Sequence, residues 1–234
     1  MKDTIHLYWE KPEAISLAKT DWLNAAEQQR ANAFRFRQDR DLYVAAHIFL
    51  RQTLSQQADI HPAEWQFVSN AYGKPAITNP GYEGLQFNLS HTKGLLACTV
   101  CQGRSVGIDV ERCKPLQHLA SLCQSALSPS ESADVLSNST HEMQQQRFFT
   151  YWTLKEAYIK ARGMGLSLPL QEFTFTQASD GQWRLHCEPA LHDSGAHWWF
   201  LSLPIENSHH LALAVQVAGH SPLNLNNIVI AKYE

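Results

Sequence analysis

Residues 106–111 read Val106-Gly107-Ile108-Asp109-Val110-Glu111, and the rest of the chain is best understood outward from them. Val106, Ile108 and Val110 alternate with Gly107, Asp109 and Glu111, the period of a strand with one apolar and one acidic face. Two carboxylates at i and i+2 of a strand stand about 7 Å apart at their α-carbons, close enough to grip one ion. Their like charges repel, and a hard divalent cation such as magnesium relieves that repulsion with oxygen ligands. An edge strand with an acidic solvent face shows the same alternation. The hexapeptide alone leaves both readings open.

Some forty residues on comes Trp152-Thr153-Leu154-Lys155-Glu156-Ala157-Tyr158-Ile159-Lys160, within a predicted helix over 144–162 that Gly163 and Gly165 close. Leu154, Tyr158 and Ala161 share an apolar stripe, while Glu156 and Lys160 fall one turn apart on another face. A surface ion pair accounts for that spacing. So does a site in which Glu156 is a third metal ligand or a general base and Lys160 meets phosphate charge.

Upstream, Phe87-Asn88-Leu89-Ser90-His91 ends a predicted strand over 85–89, where Asn88, Ser90 and His91 offer several groups able to orient a phosphate oxygen. Before it, Asn70-Ala71-Tyr72-Gly73-Lys74-Pro75 reads as a turn, with Lys74 either a solvated lysine or a point charge for a pyrophosphate. Arg30, Arg35, Arg37, Arg40 and Arg51 crowd the first quarter. Arg40 and Arg51 lie about 16 Å apart along one helix, too far to hold the same phosphate. Most of these are solvated arginines, and one or two are candidate phosphate anchors.

The 234 residues carry 44% hydrophobic and 18% charged side chains with a net charge of -3, an ordinary globular balance that argues against a non-specific nucleic-acid binder. No apolar stretch approaches the roughly 20 residues that cross a bilayer, and Lys2 and Asp3 open the chain without a secretory pattern. Five scattered cysteines suit reduced thiols in a cytoplasm better than a disulfide framework. Cys98 and Cys101 lie in a predicted strand over 95–101, on opposite faces, which makes them a poor zinc chelate.

Further elements are predicted as a strand from Ile5 to Trp9, a helix starting near Thr20 and Asp21, and a helix over 39–57 with Leu42, Ala46, Phe49, Leu50 and Leu54 on its apolar face. Strands follow at 105–111, 172–176, 183–186, 198–203 and 211–217. The chain divides near Gly103 and Arg104 into an N-terminal half, 1–103, and a C-terminal half, 104–234, giving an α+β protein of two mixed halves.

Taken together and in this order, Tyr72-Gly73-Lys74-Pro75, residues 87–91, residues 106–111 and residues 152–160 resemble the 4′-phosphopantetheinyl transferase superfamily, in its larger, pseudodimeric type. The resemblance runs from the first strand to about Phe173. It implies two similar α/β halves about a pseudo-twofold axis, with coenzyme A in the cleft between them. It also implies transfer of the phosphopantetheine arm of coenzyme A to a serine of an apo acyl or peptidyl carrier protein, with 3′,5′-ADP as the other product. By the same resemblance Asp109, Glu111 and Glu156 bind magnesium. Lys74, Asn88, Ser90 and His91 orient the pyrophosphate, Arg30 reaches the 3′-phosphate, and Lys160 stabilises or protonates the leaving group.

The resemblance also implies a monomer, in which the second half replaces a subunit. Carriers of fatty-acid, polyketide, polyunsaturated-lipid or peptide systems all fit, with the docking surface expected around 115–139, where Ser128-Pro129-Ser130-Glu131 reads as a helix start. Two rival readings remain: another magnesium enzyme acting on a pyrophosphate, and a non-catalytic module that binds carrier proteins.

Overall fold

The computed structural model of the chain describes residues 4–206, 208–219 and 222–233. In chain order the elements are β1 (Ile5–Glu10), α1 (Ala25–Asn32), α2 (Arg37–Ser55), β2 (Phe67–Ser69), β3 (Pro75–Ile77), β4 (Leu85–Thr92), β5 (Leu95–Gln102) and β6 (Val106–Arg112). Then come α3 (Leu119–Ala126), α4 (Pro129–Ser137), α5 (His141–Arg162), β7 (Phe173–Gln177), β8 (Trp183–Cys187), β9 (Trp198–Ile205), β10 (His209–Gln216) and β11 (Ile228–Lys232). The fold is α+β, as expected. Among the described residues no helix is long and apolar enough to cross a membrane.

Two sheets form the centre. One has the order β11-β1-β5-β4 and the other β6-β10-β9, while β2-β3 and β7-β8 are two-stranded ribbons. All pairings are antiparallel except β1 with β11, which joins Ile5 to Ile228 and Trp9 to Lys232. The last strand therefore completes the sheet that the first strand opens.

β5 reads Leu-Leu-Ala-Cys-Thr-Val-Cys and is buried along that whole run, the pattern of a strand covered on both faces. Leu96, Cys98 and Val100 pack with Val44, Ile48 and Phe49 of α2. Leu95, Ala97 and Cys101 pack with Val106, Ile108 and Val110 of β6 and with Leu211, Leu213 and Val215 of β10. The two sheets thus share an apolar layer, and Cys98 and Cys101 lie in different cores as the strand period requires. A third core lies between α5, β7, β8 and the far face of β10, around Tyr158, Phe173, Phe175, Phe200, Ala212 and Ala214. Small residues let α5 approach closely: a Cβ on Gly107 would run into the Ala157 carbonyl and the Ala161 amide.

Helix starts follow their caps. The expected start near Thr20 and Asp21 is corrected. Residues Leu17–Trp22 wind as a tighter 3-10 segment, and α1 begins at Ala25 because Asn24 supplies the capping box. There Asn24 Oδ1 accepts from Glu27 N at 2.9 Å and Glu27 Oε2 accepts from Asn24 N at 2.8 Å. Ser128 and Glu131 make the same reciprocal cap on α4. α5 starts three residues before the expected 144, under the Thr140 hydroxyl, and ends at Gly163 with φ +65°.

Candidate active site

Asn88 and Ser90 join the two sheets at their edges. Asn88 Oδ1 accepts from Ile108 N at 2.8 Å, and Ser90 Oγ accepts from Val110 N at 3.2 Å. Side chains of β4 thus serve the backbone of β6, because no ladder runs between these strands. The stitch fixes β6 so that Gly107, Asp109 and Glu111 turn away from the shared apolar layer.

Asp109 is 4% exposed. Its Oδ1 accepts from Lys160 Nζ at 2.6 Å and from Ser90 Oγ at 3.1 Å, and Lys160 Nζ also reaches Ser90 Oγ at 3.0 Å. Its Oδ2 is buried with no hydrogen-bond partner among the described residues, an arrangement that costs free energy unless something completes it. Glu111 Oε1 accepts a long bond, 3.4 Å, from the Trp152 indole N–H. Burial raises the Glu111 pKa and the charge of Asp109 raises it further. Glu156 is raised by burial, then by Asp109 and, more weakly, by Glu111, with Lys160 opposing. Three acids and one lysine therefore share one electrostatic neighbourhood, with repulsion left over. Among the described residues no three His, Cys, Asp or Glu side chains close on one point as a formed metal centre. The near partner of Asp109 is the Lys160 ammonium. A hard divalent cation still fits the donor set, since oxygen ligands predominate and one carboxylate oxygen lacks a partner among the described residues.

Lys155 and Glu156 are neighbours that face opposite ways. Lys155 is fully buried against Glu131 at 2.8 Å and donates to the carbonyls of Leu170 and Phe173. That packing fixes the rotation of α5 and leaves Glu156 and Lys160 lining a cleft of about 330 Å³ with Tyr72, Gly73, Lys74, Pro75 and Asn88. A larger hollow of 520 Å³ between Trp183, Trp198 and Trp199 includes Asp180, but that acid is paired with Arg184 and no carboxylate cluster meets it.

Of the other expected residues, Lys74 lines the same cleft, whereas His91 and Arg30 lie further out. His91 alternates with Ser90 and so faces α2. It is open to solvent on one side, yet the surrounding protein, with His47 and Lys160 adding positive charge, holds its pKa down at about 4. Arg30 is exposed on α1 with its guanidinium over the Phe34 ring, outside the acid cluster. Lys74 Nζ donates to the carbonyls of Val106 and Ala161. Of the other arginines, Arg51 is fully buried, held by Glu27 at 2.7 Å and by the carbonyls of Pro62 and Trp65. That arginine belongs to the fold. Burial would raise Glu27, but His47 and Arg51 hold it below the ordinary range.

Sequence reasoning missed two contributors. Trp152 stands one turn before Glu156, a spacing that places both on one helix side. Asn70 opens its turn, where an Asn that bonds its own backbone is the familiar signal.

Known protein families match both parts of the chain. Residues 105–214 match the profile of the 4′-phosphopantetheinyl transferase superfamily, and residues 8–102 match that of the 4′-phosphopantetheinyl transferase N-terminal region. The 4′-phosphopantetheinyl transferase HetI of Nostoc sp. is 32% identical over 226 residues, covering 95% of this chain and 92% of that protein. The chain therefore belongs to the 4′-phosphopantetheinyl transferase superfamily. The 4′-phosphopantetheinyl transferase Sfp of Bacillus subtilis is 29% identical over 69% of each chain. The holo-[acyl-carrier-protein] synthase of Thermotoga maritima aligns with a TM-score of 0.39 at 22% identity, covering 48% of this chain and 62% of its own.

Proposed function

We propose that this chain transfers the 4′-phosphopantetheine group of coenzyme A to a serine hydroxyl of an apo acyl or peptidyl carrier protein, releasing 3′,5′-ADP. The observation that carries the reading is the acid cluster of Asp109, Glu111 and Glu156 beside Lys160, with Glu156 and Lys160 lining the cleft and Asp109 Oδ2 lacking a partner among the described residues. These three carboxylates would hold a magnesium ion, which when bound neutralises pyrophosphate charge and favours in-line displacement.

In the transfer, the serine oxygen forms a bond to the β-phosphorus of coenzyme A as the bond to the bridging oxygen breaks. Glu156 takes the serine proton, directly or through one water. Lys160 stands at the cleft to stabilise charge on the departing 3′,5′-ADP. His91, at the outer edge, and Arg30, on the exposed side of α1, supply groups for the pyrophosphate and 3′-phosphate. Asn88 and Ser90 hold β6, and through Ser90 also Asp109 and Lys160, in place. One chain contains both sheets and the whole acid cluster, which supports a monomer.

Intact-protein mass spectrometry of apo carrier proteins with coenzyme A and magnesium tests the reading. One phosphopantetheine per carrier is expected, lost on chelation and in Asp109→Ala. Release of 4′-phosphopantetheine without any acceptor would point to a hydrolase instead. No gain on fatty-acid, polyketide and peptide carriers alike, with coenzyme A still bound, would point to a non-catalytic module.

A further inference from the structure

The turn before β3 sends two polar side chains to the same helix end. Lys74 Nζ donates to Ala161 O at 2.8 Å and to Val106 O at 3.1 Å. Asn70 Nδ2 donates to Gly163 O at 2.8 Å. The Ala161 and Gly163 carbonyls belong to the last turn of α5 and its cap, where helical carbonyls have no partner within the helix and a cation is favoured by the aligned peptide dipoles. Asn70 also shapes the turn itself, since its Oδ1 accepts from the N–H groups of Tyr72 and Lys74, each at 2.9 Å. The receiving surface matches: Gly163 has φ +65°, and a Cβ there would stand 2.8 Å from Lys74 Cδ and 3.2 Å from Asn70 Nδ2.

We infer that Asn70 and Lys74 form a latch that clamps the 70–75 turn to the end of α5, and that Lys74 is a positioning residue and not a ligand of the substrate phosphates. Tyr72, Gly73 and Pro75 make one wall of the cleft, and Glu156 and Lys160 on α5 make another. The latch ties these walls into one body. It reaches β6 as well, through Val106 O, three residues before Asp109. Burial lowers the Lys74 pKa to about 8, and a neutral amine still has two N–H groups for two carbonyls. The contact therefore survives deprotonation. The consequence for turnover rests on the transferase reading; the latch itself does not.

Lys74→Met and Asn70→Ala remove the two arms separately, and both sites lie in a surface turn. Hydrogen exchange of the free protein is the first measurement. In both variants the amides of residues 161–165 are expected to exchange about tenfold faster or more, with β5 unchanged. Calorimetry with 3′,5′-ADP is the second. A latch leaves its affinity within about threefold in both variants, whereas loss of a charged phosphate contact costs about tenfold or more. On an active carrier, both variants should lower kcat about tenfold, with KM for coenzyme A within about threefold. Wild-type exchange at 161–165 in either variant overturns the latch. Weakened 3′,5′-ADP binding in Lys74→Met alone overturns the positioning role. If the parent protein binds no 3′,5′-ADP, the transferase reading fails while the exchange result still decides the latch.

Discussion

The two carboxylate oxygens of Asp109 meet different surroundings: Oδ1 is held by Lys160 and Ser90, and Oδ2 is buried without a partner among the described residues. Around it Glu111 and Glu156 are pushed towards their protonated forms, by burial first and by the Asp109 charge second. A folded pKa above the unfolded one means that the folded protein binds the proton more tightly. The stabilisation from such an acid is full below the ordinary carboxylate range and is lost as pH rises through the raised value. Glu111→Gln removes that loss. In chelator at pH 7.5 the variant should melt about 2–4 °C above the parent, and its Tm should fall less than the parent's between pH 5 and pH 7.5. Transfer activity should drop about 100-fold. A Tm equal to or below the parent's would show that no repulsion is stored there. The alternation of residues 106–111 was enough to put both acids on one face, and the spacing of Glu156 and Lys160 to put them on one helix side. The sequence did not reveal that Lys160 turns to Asp109, because that pairing depends on how closely α5 lies on β6.

That closeness is a property of elements. Gly107, Ala157, Ala161, Ala212 and Ala214 are small where α5 crosses its sheet, and helix against sheet then packs backbone to backbone. Gly107→Ala should cost about 3 kcal/mol or more, since the added methyl meets backbone atoms that cannot rotate away; urea unfolding measures it, and a loss below about 1 kcal/mol would show that α5 yields. β1, β4 to β10 and the long helices α2 and α5 were legible to within a few residues because their apolar periods are regular, whereas the short β2 and β3 and the terminal β11 were not. The start of α1 was not. Thr20, Asp21 and Asn24 are all capping residues, and only Asn24 has Glu27 three positions on to complete the box. The carbonyl contacts of Lys74 were hidden for a related reason: a lysine in a turn carries no local sign of whether carbonyls or solvent will receive it.

At the scale of the molecule, the two sheets share one apolar layer, and the segment after β10 returns to the first sheet. β11 lies parallel to β1, and Tyr233 beyond it packs edge-on against Phe49 of α2 with ring centres 5.5 Å apart. A chain ended at residue 222 should therefore melt roughly 10 °C lower, having lost both a ladder and core contacts. An unchanged Tm in scanning calorimetry would make β11 a passive cover. The partner of β1 had no local signal, because Ile5 and Ile228 meet across most of the chain and no short-range pattern fixes a parallel neighbour at that distance.

This pairing also has a consequence in time. On the ribosome β1 emerges before the other described strands, while its parallel neighbour is still some 220 residues away, and at about 5–20 residues per second that is a wait of roughly ten to forty-five seconds. During that interval β5 can cover one side of β1 while the other stays open to any extended segment that passes. Early protection of that open edge, by a chaperone or by rapid translation of the second half, should therefore decide how much newly made chain reaches the native state.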